Sequence, residues 1–129
     1  MHSTVKNLLE IENNIKVNLI KLNTNNYPKI IAVSKTFKIE KILPLVEHGH
    51  IDFGENKVQE AVEKWQKIKK KNSEIKLHMI GKLQTNKVKL IAPFVSLIHS
   101  VDSLKLAKEI NKQAEKNNRT IEFGNFPSL

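Results

Sequence analysis

Apolar and polar residues recur along this chain with two periods, and the alternation between them predicts its elements. Leu8, Ile11, Ile15, Leu19 and Leu22 follow three- and four-residue steps, which places them on one stripe of a helix over residues 3–22. The polar stretch at 23–28 ends that helix. The run Ile30, Ile31, Ala32, Val33, Ser34 is continuous and branched, which predicts a strand buried on both faces, as in parallel α/β sheets. It stops at Lys35, with a helix-start signal at Thr36. Ile39, Ile42, Leu43 and Val46 mark an amphipathic helix closed by Gly49.

The same alternation continues. Ile51, Asp52 and Phe53 form a short strand running into Gly54, Glu55 and Asn56, and Val58, Ala61, Val62, Trp65 and Ile68 line the next helix. Residues 74–80 are a third strand with Gly81 at its end, and 84–91 a short helix stopped before Pro93. Residues 94–101 are a fourth strand, after which Asp102 or Ser103 caps a helix bearing Leu104, Ala107, Ile110 and Ala114. Residues 119–123 open a fifth strand. Strands alternating with helices at this spacing predict an α/β fold with a parallel sheet. The pattern breaks at 124–129, so about five strands are expected in one partial domain over 1–129, where a closed eight-stranded barrel takes about 250 residues.

Composition narrows the function classes. The 129 residues contain no cysteine, which excludes disulfides and thiolate metal sites. No apolar stretch is long enough to cross a membrane and the start lacks a signal-peptide core, so a cytoplasmic protein is expected. The net charge of +9 invites a nucleic-acid reading, but only Arg119 among the 22 basic residues is arginine, and the lysines are spread along the chain. The densest run, 67–71, falls near the end of a helix, where positive charge complements the dipole.

The candidate chemistry lies where strands end. Ser34-Lys35-Thr36, Gly54-Glu55-Asn56, Gly81 with Gln84 and Asn86, and His99-Ser100 with Asp102 all follow strands, and in a parallel barrel such ends meet at one mouth. A partly desolvated lysine at that position can form a Schiff base with a carbonyl compound such as pyridoxal phosphate. His48 and His50 read as turn residues rather than metal ligands, and His78 as a hydrogen-bonded core histidine. Trp65 reads as core, and Glu55 and Glu60 as surface partners of nearby lysines.

Four blocks carry a resemblance: Ile31-Ala32-Val33-Ser34-Lys35-Thr36, then Asp52-Phe53-Gly54-Glu55-Asn56-Lys57-Val58-Gln59-Glu60, then His78-Met79-Ile80-Gly81-Lys82-Leu83-Gln84-Thr85-Asn86-Lys87, then His99-Ser100-Val101-Asp102. In order and spacing they resemble the pyridoxal phosphate homeostasis protein family, from the first helix to about residue 121. The resemblance implies a barrel of the (β/α)8 type, like the amino-terminal domain of alanine racemase. It also implies pyridoxal 5′-phosphate held as a Schiff base on Lys35, with Asn56, His78, Ile80 and Ser100 around the cofactor. Family members influence the supply of the cofactor as monomers, with no established catalytic reaction. Racemases take a second base from a tyrosine of another domain, and Tyr27, the only tyrosine here, precedes the first strand.

The resemblance also implies later strands and phosphate-binding loops beyond the five read here. A shortened chain is therefore expected, with weakened cofactor binding and an open sheet prone to self-association. The alternatives are a racemase- or decarboxylase-like enzyme, a nucleic-acid binder, and a fragment without function.

Overall fold

The structure, a computed structural model, describes residues 2–124. They form two compact units, one of residues up to 30 with 37–50, the other of residues 31–36 with 51 onward.

The first unit pairs two helices, α1 (Ser3–Lys21) and α2 (Ile39–His48). The His2 ring caps α1 by accepting from the Thr4 N–H at 3.2 Å. The buried side chains of α1 are Val5 and Leu8, whereas Ile11 and Leu22, expected on the same stripe, are exposed. α2 begins after Lys38 rather than at Thr36, and Gly49 closes it at φ 102°, a left-handed turn that suits glycine.

The second unit is built on a parallel sheet of five strands in the order β1-β2-β3-β4-β5. The strands are β1 (Ala32–Val33), β2 (Asp52–Glu55), β3 (Lys76–Met79), β4 (Val95–Ile98) and β5 (Glu122–Phe123). Strand order equal to chain order is what a barrel segment shows, in contrast to the reversed order of a doubly wound sheet. The connecting helices of this unit are α3 (Val58–Lys71), α4 (Val88–Ile91, entered through a 3-10 turn at Thr85–Lys87) and α5 (Leu104–Lys116).

One face of the sheet is core. Register aligns Ala32, Phe53, Leu77 and Val95 in one row and Glu55, Met79, Ile98 and Phe123 in the next. Trp65 of α3 is fully buried, with its ring 4.8 Å from that of Phe53. Val58, Ala61 and Ile68 complete the buried side of α3. In α5 the buried positions are Leu106, Ile110, Gln113 and Ala114, while Leu104 is exposed, so the helix is rotated from the face expected of it. Ser103, not Asp102, is its cap, accepting from the Leu106 N–H at 3.1 Å.

β1 differs from expectation. Val33 is 48% exposed, and β1 pairs only with β2 among the described residues. The apolar run specifies an extended segment, but burial of both faces needs cover on both, which an edge strand does not have. The fifth strand is shorter than expected. Arg119 lies outside it and donates from Nη1 to the carbonyls of Ala92 and Val95, each at 2.6 Å. Gly124 still donates its N–H to the Ile98 carbonyl, and the remainder of the off-pattern tail lies outside the described residues.

A bulge sets the registry of the other face. Leu77 pairs with Val95 but His78 pairs with Leu97, which leaves Ser96 as the extra residue. The row on this face is therefore Val33, Gly54, His78, Leu97 and Glu122.

Candidate functional site

Lys35 follows β1 at the carboxyl end of the sheet, and both peptide groups beside it are held by α3. Lys64 donates from Nζ to the Ser34 carbonyl at 2.6 Å, and Glu60 Oε2 accepts the Thr36 N–H at 2.7 Å. Lys64 and Glu60, one helical turn apart, are themselves paired at 3.3 Å. Thr36 is left-handed at φ 66°, a conformation that a β-branched residue adopts only at a cost of order 1–3 kcal/mol. The Glu60 contact helps to hold it there.

Beneath this bracket lies a buried carboxylate. Glu55 has no exposed surface, which replaces the surface pairing expected of it. Its Oε2 accepts from Lys64 Nζ at 3.1 Å, from Trp65 Nε1 at 2.9 Å and from the Ser34 hydroxyl. Burial of an ion is tolerated only when pairing and hydrogen bonds replace its water, and here both are present. Glu60 behaves nearer to expectation, as a half-buried partner of a lysine.

Lys35 is exposed and lines a cavity of about 410 Å³ together with Thr36, Asn56, Lys57, Gln59, Glu60 and Glu63. That volume lies within the range of small-molecule sites, roughly 300–1,000 Å³. The expected partial desolvation of Lys35 is absent. Asn56 joins it in the cavity, whereas His78, Ile80 and Ser100 do not line it. Asn56 lies close over Gly81, where an added Cβ would fall 1.6 Å from its Oδ1, so no larger residue fits there without moving the amide. Ile80 packs beside Gly54, whose missing side chain leaves room for it and Ile31. Ser100 is exposed beyond the end of β4.

His78 is buried, as expected of a core histidine, and both of its ring nitrogens are engaged. Nε2 is 2.9 Å from Asp52 Oδ1 and Nδ1 is 3.0 Å from His99 Nε2. These three side chains come from β2, β3 and the end of β4. The His78 ring has almost no exposed surface and lies 5.2 Å from that of His99. Burial and the neighbouring His78 hold His99 below the usual histidine range.

A second lysine is set apart electrostatically. Lys69, in the last turn of α3, donates to the Phe94 carbonyl at 2.8 Å and to Ser96 Oγ at 3.4 Å. Burial, with help from the Arg119 charge, lowers its pKa to about 8. It meets β4 at its amino-terminal end, opposite the end that carries Lys35.

Sequence reasoning passed over Lys64, Asp52 and Lys69. Lys64 left a readable signal, because Glu55 shares the period-two face of buried Phe53 and so requires a cation or donors from α3. Among the described residues no group of three or more histidine and acidic side chains is placed to hold a metal, and no helix is long and apolar enough to cross a membrane.

The chain is similar to known proteins. The chain is 44% identical over 113 residues to the pyridoxal phosphate homeostasis protein of Buchnera aphidicola, covering 80% of this chain and 49% of that one. This chain is a relative of the pyridoxal phosphate homeostasis proteins. Like-named proteins of Aquifex aeolicus (44% identity, 72% of this chain and 40% of that one) and Mus musculus (43%, 72% and 35%) are also similar. Among solved structures, PipY of Synechococcus elongatus PCC7942 with PLP bound matches at 33% identity and a TM-score of 0.67, over 84% of this chain and 52% of that one. The chain thus spans about half or less of the length of these relatives. No family model matches it.

Proposed function

We propose that this chain binds pyridoxal 5′-phosphate at the carboxyl end of its sheet, in the cytoplasm, and serves the supply of that cofactor rather than a reaction of its own. The observation that carries this reading is the bracket around Lys35, whose neighbouring carbonyl and N–H are both held by α3. A surface lysine with no role needs no such restraint, whereas a covalent anchor does. The residues present fit the group: a lysine amine and an asparagine amide share a cavity of suitable size. The relatives' names and PipY's bound PLP support the same reading.

When bound, the cofactor supplies an aldehyde that condenses reversibly with an amine and releases water. The protein's part is to present that amine. Lys64 and Glu60 fix the backbone from which the Lys35 side chain extends, and Asn56 offers a donor and an acceptor beside it. Glu60 and Glu63 line the same cavity and balance its lysines. Ile80, next to Gly54, Ser100 and His78 are assigned to the surroundings of the cofactor and its approach. All of these residues lie in the second unit, the one built on the parallel sheet.

The test is reduction of the protein–cofactor mixture with borohydride, followed by peptide mapping. A single adduct on Lys35, lost in Lys35→Ala, is expected. Labelling spread over surface lysines, or concentrated on the more nucleophilic Lys69, would overturn the assignment.

A further inference from the structure

Lys69 and Arg119 are two half-buried cations held on one stretch of backbone, and neither pairs with a carboxylate among the described residues. Lys69 donates to the Phe94 carbonyl at 2.8 Å and to Ser96 Oγ at 3.4 Å. Arg119 Nη1 donates to the carbonyls on either side, those of Ala92 and Val95, at 2.6 Å each. Charges drawn out of water are ordinarily paired, whereas these two have neutral acceptors and each other's repulsion. We propose that Lys69 is a site of reversible carbamylation by carbon dioxide, the carbamate so formed pairing with the Arg119 guanidinium.

The reaction needs a free amine, and the surroundings of Lys69 provide one. Burial, and then the Arg119 charge, bring its pKa from 10.5 to about 8, and these two effects are the ones that activate lysine nucleophiles in general. Near neutral pH its unprotonated fraction is therefore roughly a hundredfold or more above that of an exposed lysine. The Nζ electron pair forms a bond to the carbon of CO2, one carbon–oxygen π pair moves onto oxygen, and the nitrogen sheds a proton to water. Counted from the ammonium, two protons leave and the side chain changes from a cation to an anion. Nothing is oxidised or reduced, and no other reactant is required.

The groups around Lys69 match the product. A carbamate keeps one N–H, for which the Phe94 carbonyl is already in place, and gains two oxygens that need donors. Ser96 Oγ, which accepts from the ammonium, can turn its own proton toward one of them. Ser96 is the extra residue of the bulge between β3 and β4, so an irregularity of the sheet supplies this hydroxyl. Arg119 uses only Nη1 in its hydrogen bonds among the described residues, which leaves Nε and Nη2 for a planar, carboxylate-like group. Repulsion between two cations thereby becomes a charge-assisted pair. Lys67, Lys70 and Lys71 on the same helix are exposed, so the reaction singles out Lys69 from this run. The site is independent of the cofactor assignment and is read on the protein alone.

The experiment uses the cofactor-free chain in bicarbonate buffer at about pH 8, close to the pKa of Lys69. Triethyloxonium converts carbamates to stable ethyl esters, which peptide mapping then locates. Lys69 should carry the trapped group at an occupancy at least about tenfold above that of Lys67, Lys70 or Lys71. The adduct should be absent at this position in Lys69→Arg, and should fall at least about tenfold in Arg119→Gln, which removes the countercharge. Trapping spread evenly over the lysines, or unchanged in Arg119→Gln, would overturn the proposal. Thermal denaturation decides the matter even if Arg119→Gln fails to fold. At fixed pH and ionic strength, bicarbonate should raise the midpoint of the wild type and not that of Lys69→Arg, because the unfolded chain offers neither the free amine nor the neighbouring arginine. An equal response of the two proteins would overturn the assignment.

Discussion

Lys64 Nζ donates to the Ser34 carbonyl at 2.6 Å, one residue before the lysine on which cofactor capture is proposed to depend. The same ammonium group sits on the buried Glu55 carboxylate and on Glu60, which in turn holds the Thr36 N–H. One helical cation thereby links the floor of the site to both sides of the Lys35 backbone.

Lys64→Met should be among the more damaging single changes in the chain. It leaves the buried Glu55 without its countercharge, at an expected cost of about 3–5 kcal/mol. Urea denaturation of Lys64→Met, Glu55→Gln and the double variant checks this. The double variant should lose less than the sum of the two single ones, because the two groups act as a pair.

Thr36→Gly should separate strain from position. Glycine accepts φ 66° freely, so the change relieves strain but makes the unfolded chain more flexible. Stability should rise by up to about 2 kcal/mol, the strain relieved less the roughly 0.4–1 kcal/mol that glycine costs through the freedom of the unfolded chain. The rate of borohydride-trapped labelling at Lys35 should nevertheless fall, because the loop is less confined. An unchanged labelling rate would show that the backbone conformation does not matter to capture.

Gly81→Ala should act through Asn56. The new Cβ would fall 1.6 Å from the Asn56 Oδ1 and 3.0 Å from its carbonyl oxygen, so the amide must leave its place. Overpacking of this kind costs about 1–3 kcal/mol. The proposed signature is weakened cofactor affinity, read by absorbance titration, in a variant whose circular dichroism is unaltered.

Lys69 makes a prediction about pH. Its pKa is lowered to about 8 in the folded chain from an ordinary value of 10.5, so the unfolded chain binds the proton more tightly. Stability conferred through this group therefore rises as pH increases from about 8 to 10.5, and below that window the buried charge is a liability. Wild type and Lys69→Met, compared by urea denaturation at the two ends of the window, should differ in slope, with the variant gaining less at high pH. Equal slopes would mean that Lys69 titrates as an exposed lysine does.

The sequence by itself determined the order of the elements, the five strands, the polar residues that follow them and the family resemblance. These are local properties. A period of two or 3.6, a glycine after a helix and a contiguous motif are set by residues that are near neighbours in the chain. It also placed Trp65 in the core, because it lies on the apolar stripe of its helix, and His78 in a hydrogen-bonded interior position, because it lies inside a strand.

Only the tertiary structure decided which residues meet. Glu55 is buried because Lys64 and Trp65 arrive over it, and Val33 is exposed because β1 is an edge. Asp52, His78 and His99 touch because register aligns their strands, with the single extra residue Ser96 setting the last step. Partners separated by more than 20 positions are chosen by strand order and register, and one residue of slip turns every later side chain to the opposite face. No periodicity within a segment encodes that choice, which is why the elements were legible and the bracket around Lys35 was not.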